Sequence, residues 1–156
     1  MHTILMVADE PDELELLKAG FQKAGIGIDM IHAKTGTQLL QVLSTSMPSI
    51  IFLDLRLSTA YSWHIIEQVR QRAIYNDIPI VMYTVSNDAT LIHEGFRTGA
   101  DLVLLRTNNI TELSESLNNI FISDWKCFKQ QRLARKLCLR NSLMNNNQNG
   151  LLPATG

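Results

Sequence analysis

Ile50-Ile-Phe-Leu-Asp-Leu-Arg-Leu57 is the most telling stretch of the chain. Four apolar residues run without alternation and stop on a carboxylate, Asp54. A strand apolar on both faces belongs inside a parallel sheet covered by helices on either side, since a sheet with one wet face would alternate. Four further β-rich runs of strand length flank it, at Thr3–Val7, Ile28–Ala33, Ile80–Tyr83 and Leu102–Leu105, and its own strand reads as Ser49–Leu53. Between the runs, apolar residues fall at helical spacing: Leu14, Leu17, Phe21 and Ala24, then Leu39, Leu40 and Leu43, then Ile65, Ile66, Val69 and Ala73, then Ile92 and Phe96. Leu113, Leu117, Ile120 and Phe121 close the series. Pro11 suits a first helical turn, Asp12 and Glu13 suit its dipole, and Asn109-Ile-Thr-Glu112 reads as a capping box. Five βα repeats with short connections predict an α/β fold with one parallel sheet.

The 156 residues, 46% hydrophobic and 19% charged, suffice for one domain with one core and do not suit a disordered, collagenous or coiled-coil chain. No apolar run approaches the roughly 20 residues of a membrane span. The start, Met1-His-Thr-Ile-Leu-Met-Val-Ala-Asp9, lacks the basic region of a signal peptide, so a cytoplasmic location is expected. The formal charge of −1 hides an asymmetry. Residues 1–125 carry 8 Lys+Arg against 15 Asp+Glu, whereas 126–156 carry six cations (Lys126, Lys129, Arg132, Arg135, Lys136, Arg140) and no acid. The chain therefore divides into an acidic body, 1–125, and a basic helical extension, 126–156, which ends in an Asn-rich stretch that reads as disordered. A solvated continuation of the last helix is the preferred reading of the extension. Electrostatic contact with an acidic partner, nucleic acid or a membrane is the sharper alternative, although no DNA-reading domain fits in so short a tail. Leu152-Pro-Ala-Thr-Gly156 matches a sortase pattern without the leader or apolar segment that anchoring needs.

In an open parallel sheet, ligands bind beyond the carboxyl ends of the strands. There stand Asp9 and Glu10 after the first strand, Asp54 after the third, Thr84 after the fourth and Arg106 after the fifth. A strand order of 2-1-3-4-5 would gather them into one crevice suited to a hard divalent cation and a phosphoryl group, with a carboxylate oxygen left to attack phosphorus. Acids after strands also cap helices, and Asp9-Glu10-Pro11 alone needs no other role. Four polar strand ends on one edge point to a site.

Ile4-Leu-Met-Val-Ala-Asp-Glu-Pro11, Ile50-Ile-Phe-Leu-Asp-Leu-Arg-Leu57, Ile78-Pro-Ile-Val-Met-Tyr-Thr84 and Gly99-Ala-Asp101 together resemble the receiver domain of two-component response regulators, over residues 3 to 122. The resemblance implies a flavodoxin-like (βα)5 doubly wound sheet of order 2-1-3-4-5. Asp54 then matches the aspartate that accepts a phosphoryl group from a sensor histidine kinase or phosphotransfer protein. Asp9 matches a direct Mg2+ ligand, joined by Asp54 and the Arg56 backbone carbonyl. Thr84 matches the hydroxyl that moves toward the phosphoryl group, and Val85 a position kept small for access.

Several positions depart from the family pattern. Ala8 replaces the first acid of a pair, which weakens metal binding unless Glu10 compensates. Arg106 replaces a lysine, and a planar guanidinium does not reproduce a compact ammonium. Thr107 replaces a proline, so the cis peptide usual there is not expected. Val103 replaces an aromatic residue, and the loop Ser58-Thr-Ala-Tyr-Ser-Trp63 lacks the usual proline and glycines. The implied function is a phosphorelay receiver that is not an enzyme and signals by contact with a downstream target or by dimerising. The alternative is a phosphorylation-independent adaptor that keeps only the fold. His2, His32, His64 and His93 lack metal-ligand spacing, Cys127 and Cys138 form no CxxC, and no P-loop or dinucleotide fingerprint is present. Asp54-Leu-Arg56 also lacks the second acid of a phosphohydrolase.

Overall fold

The βα alternation is present in the computed structural model, which describes residues 1–57, 60–85 and 87–135. In chain order the elements are β1 (His2–Val7), α1 (Pro11–Ala24), β2 (Ile28–Ala33), α2 (Gly36–Thr45), β3 (Ile50–Asp54), β4 (Arg56–Leu57), β5 (Ala60–Tyr61), α3 (Trp63–Arg70), a 3-10 turn (Ala73–Tyr75), β6 (Ile80–Thr84), α4 (Ala89–Thr98), β7 (Leu102–Leu105) and α5 (Ile110–Phe121). Five strands pair in parallel in the order β2-β1-β3-β6-β7. With the small antiparallel β4–β5 pair set aside, this is the 2-1-3-4-5 order implied by the sequence. Ala73, placed by periodicity on the third helix, lies instead in the 3-10 turn beyond it.

The unbroken apolar strands are explained by two cores, one on each face of the sheet. Successive strand side chains point to opposite faces. Ile4, Met6, Ile50, Phe52, Val81 and Tyr83 therefore pack toward α1 and α5, while Leu5, Val7, Ile51, Leu53, Ile80 and Met82 pack toward α2, α3 and α4. Every residue of β3 and β6 is buried. Phe21 of α1 meets Phe52 edge-on at 5.8 Å and Phe121 at 5.6 Å, tying α1, β3 and α5 together. Burying a side chain of that size contributes about 1.5–3 kcal/mol. Thr35, Asp88 and Asn109 cap α2, α4 and α5, and Gly25, at φ 70°, ends α1 in the left-handed conformation. The capping box at Asn109 is only half formed. Its side chain accepts from the Thr111 and Glu112 N–H groups, but Glu112 takes the Thr107 hydroxyl, which in turn accepts the Asn109 N–H.

The basic extension departs from a solvated continuation of α5. The chain breaks at 122–124, and residues 125–135 form a separate helical segment folded back on the body. Arg132 is 3% exposed and bonds both carboxylate oxygens of Asp101 at 2.6 and 2.8 Å. Asp101 also accepts from Arg70 at 2.8 Å and from the Ile80 N–H at 2.9 Å. Lys129 pairs with Asp77, and Arg135 donates to the Ala100 carbonyl and lies 5.2 Å from the Phe96 ring. This anchorage precedes β6 and β7, at the end of the sheet opposite Asp54. The Asn-rich stretch 145–149 and the terminal Leu152–Gly156 lie outside the described residues.

Candidate functional site

A cleft of about 480 Å3 opens beyond the carboxyl ends of β1, β3, β6 and β7. Asp9, Glu10, Asp54, Thr84 and Arg106, the side chains picked out in the sequence, all line it, as does Arg56. Parallel strands in register bring this about: Asp54 ends β3 opposite Tyr83, and Thr84 ends β6 opposite Leu105, one residue before Arg106. The Arg106 N–H donates to the Thr84 carbonyl at 2.8 Å, carrying the β6–β7 ladder up to the cleft.

Asp54 is 8% exposed. One oxygen, Oδ1, accepts the Arg56 N–H at 3.0 Å, and its own carbonyl accepts the Ser62 hydroxyl, which ties the strand end to the start of α3. Burial pushes the carboxyl up to about 6, the Arg56 N–H pulls it down, and the charges of Asp9 and Glu10 push it up further. At pH 7 Asp54 is still mostly ionised, with Oδ2 free of the backbone bond. Ala8 contributes no side-chain donor. Its carbonyl takes a hydrogen bond of 2.7 Å from His32 Nε2, which must therefore carry the proton.

Arg106 reaches the cleft but turns to Glu13, an acid whose place in the sequence suits a helix dipole. Its guanidinium pairs with Glu13, in the first turn of α1, and lies 5.9 Å from the Tyr83 ring. Glu13 is 4% exposed, and its Oε2 has no hydrogen-bond partner among the described residues. A signal for it existed: Glu13 shares the face of Leu17, Gly20 and Phe21, all buried at helical spacing. Tyr61, on the β5 side of the small hairpin, also lines the cleft and stacks on Trp63 at 4.6 Å. Val85 is exposed at the rim. Among the described residues all peptides are trans, including that before Thr107.

The donor set suits a hard divalent ion in part. Two carboxylates, Asp9 and Asp54, and the Arg56 carbonyl are oxygen ligands of the right kind. The repulsion of Asp54 by Asp9 and Glu10 is charge that a cation would relieve. Glu10 stands beside the set. It is the exposed, extended N-cap of α1, and among the described residues no three His, Cys, Asp or Glu side chains converge closely enough to hold a metal by themselves. Glu10 lines the same cleft, and its charge acts on Asp54. Tyr83 keeps a buried hydroxyl with no partner among the described residues, pushed up to about 12 by burial and by Asp54.

Comparison with known proteins agrees with this geometry. A family model described as response regulator receiver domain matches residues 4–118. The response regulator Rre1 of Synechocystis is 23% identical over 119 residues, which cover 76% of this chain and 51% of that protein, so the chain spans about half the length of this curated relative. Among solved structures, the chemotaxis response regulator CheY4 of Vibrio cholerae superposes with a TM-score of 0.65 at 22% identity, covering 77% of this chain and 98% of CheY4. The Mn2+-bound form of the response regulator Rcp1 gives 0.65 at 20% identity, with 77% and 91% covered. At such identities the structural likeness is one of fold.

Proposed function

The chain belongs to the response regulator receiver domain family, and from that premise we propose that it accepts a phosphoryl group on Asp54 with the help of Mg2+. The donor would be a sensor histidine kinase or a phosphotransfer protein, and the signal would leave through contact with a downstream protein or a second copy of the chain. The observation that carries this reading is the placement of the buried Asp54 carboxylate with Asp9, Thr84 and Arg106 in one cleft.

Asp54 Oδ2 would attack phosphorus as the bond from phosphorus to the donor's nitrogen breaks, and the freed imidazole keeps that electron pair. Oδ1 stays anchored on the Arg56 N–H, which fixes the direction of approach. Asp9, Asp54 and the Arg56 carbonyl would hold Mg2+, which when bound offsets the negative charge shared by the carboxylates and the incoming phosphoryl oxygens. That the related Rcp1 has a Mn2+-bound form supports a divalent ion here. Thr84 would donate its hydroxyl to a phosphoryl oxygen. The chain would not turn over a free substrate and is not proposed as an enzyme. A cytoplasmic location fits such signalling, and no described helix is long and apolar enough to cross a membrane.

Intact-mass measurement after acetyl phosphate and Mg2+ tests the reading. Gain of one phosphoryl group by the wild type and none by Asp54→Asn is the expected result; no gain in the wild type would overturn it. The adaptor reading draws on the absent acid at Ala8 and on the engagement of Arg106 by Glu13. It predicts that Asp54→Asn leaves partner binding intact.

A further inference from the structure

We infer that Glu13 is a positioning residue: it holds the Arg106 guanidinium aside, so that a divalent ion meets Asp9 and Asp54 without a competing internal cation. The inference rests on the divalent site of the proposed function.

Glu13 and Arg106 come from opposite ends of the body, 93 residues apart, and meet over the same cleft as Asp54. A carboxylate that is 4% exposed and has one paired oxygen is costly to bury unless its partner is held as firmly. The pair therefore constrains both side chains. Asp54 is hydrogen-bonded to the Arg56 N–H and not to Arg106, although both line one cleft. A guanidinium is a planar fork that fits a carboxylate with two parallel bonds. Without Glu13, the acids left to Arg106 in this cleft are Asp9, Glu10 and Asp54. An arginine closed on Asp54 or Asp9 would occupy the oxygens that the ion needs. With Ala8 adding no acid, the cleft has little negative charge to spare, so the resting place of this one cation weighs heavily on metal affinity.

Titration of the full chain with Mg2+ by calorimetry, repeated with Mn2+ by electron paramagnetic resonance, tests this in the wild type, Glu13→Gln, Arg106→Ala and the double variant. A unit charge released among these carboxylates is expected to weaken Mg2+ binding about tenfold in Glu13→Gln. Arg106→Ala should bind at least as tightly as the wild type. In the double variant the loss should disappear, because no guanidinium remains to be misplaced. An equal loss in Glu13→Gln and in the double variant would show a merely structural effect and overturn the inference. Glu13→Asp keeps the charge and should stay within about twofold of the wild type. This variant serves if Glu13→Gln does not fold, and a loss as large as that of a neutral residue would refute the proposal. Acetyl phosphate labelling separates the two readings. Labelled wild type with unchanged Mg2+ binding in Glu13→Gln sinks the role of Glu13 alone. The expected binding pattern without labelling sinks phosphorylation alone, and a wild type that binds neither ion overturns both.

Discussion

Replacing Asp54 by Asn should make the protein more stable, and by an amount that depends on pH. In the folded chain the carboxyl titrates near 6, against 3.8 for the free side chain, with burial as the largest cause and the charges of Asp9 and Glu10 adding to it. Folding therefore favours the protonated form. Between 3.8 and about 6 the folded state holds more protons than the unfolded state, so stability falls as pH rises through that window and stays reduced above it. The displacement corresponds to at most about 3 kcal/mol, which water at the cleft mouth lowers to about 1–2 kcal/mol. Asn keeps an oxygen for the Arg56 N–H and removes the charge. Asp54→Asn should thus raise the melting temperature by about 2–8 °C at pH 8 and leave it unchanged near pH 3.5. Calorimetric melts at the two pH values read this directly. Added Mg2+ should narrow the gap at pH 8 by relieving the repulsion in the wild type. Equal melting temperatures at pH 8, or the same gain at both pH values, would refute the electrostatic account of this site.

Three further substitutions probe the body. Arg132→Met should cost about 2–4 kcal/mol in urea denaturation, since Asp101 and the Asn76 carbonyl lose a buried donor; an unchanged midpoint would show that the 125–135 segment does not dock as described. Gly95→Ala would drive a Cβ into Met82 Sδ, which is fully buried, and should cost about 1–3 kcal/mol by the same assay. Tyr83→Phe removes a buried hydroxyl that has no partner among the described residues and should be neutral or stabilise by up to about 1.5 kcal/mol; a clear loss in thermal melts would mean that the hydroxyl is satisfied.

The sheet was legible because its strands are apolar on both faces, and period-two geometry sends neighbours such as Phe52 and Leu53 to different cores, which demands helices on both sides. The helices were legible from spacing and caps. The β4–β5 pair was not, since strands of two residues carry no period and nothing in the sequence marks Arg56 as the partner of Tyr61. The half-formed capping box failed for a similar reason. Glu112 had a nearer donor in Thr107, and no local pattern ranks two competing hydrogen bonds.

Charge pairing is where the sequence reading fell short, and the two cases share a cause. Arg106 meets Glu13 across 93 residues, and Arg132 meets Asp101 across 31. Composition displayed these charges as an acidic body and a basic tail, a division by position along the chain that the fold does not respect. What spacing can disclose is an acid on a buried helical face, as Glu13 is with Leu17 and Phe21. Such an acid requires a cation from somewhere, because a lone buried carboxylate is too costly to keep. Its place in the first turn of α1 puts that cation at the carboxyl edge of the sheet, where only Arg56 and Arg106 are available among the described residues that line the cleft. Arg56, whose side chain is exposed beside the turn, is the worse candidate. The arginine at 106 and the acid at 13 are therefore one feature of this chain, and Glu13 neutralised alone should weaken metal binding at the site more than both residues changed together.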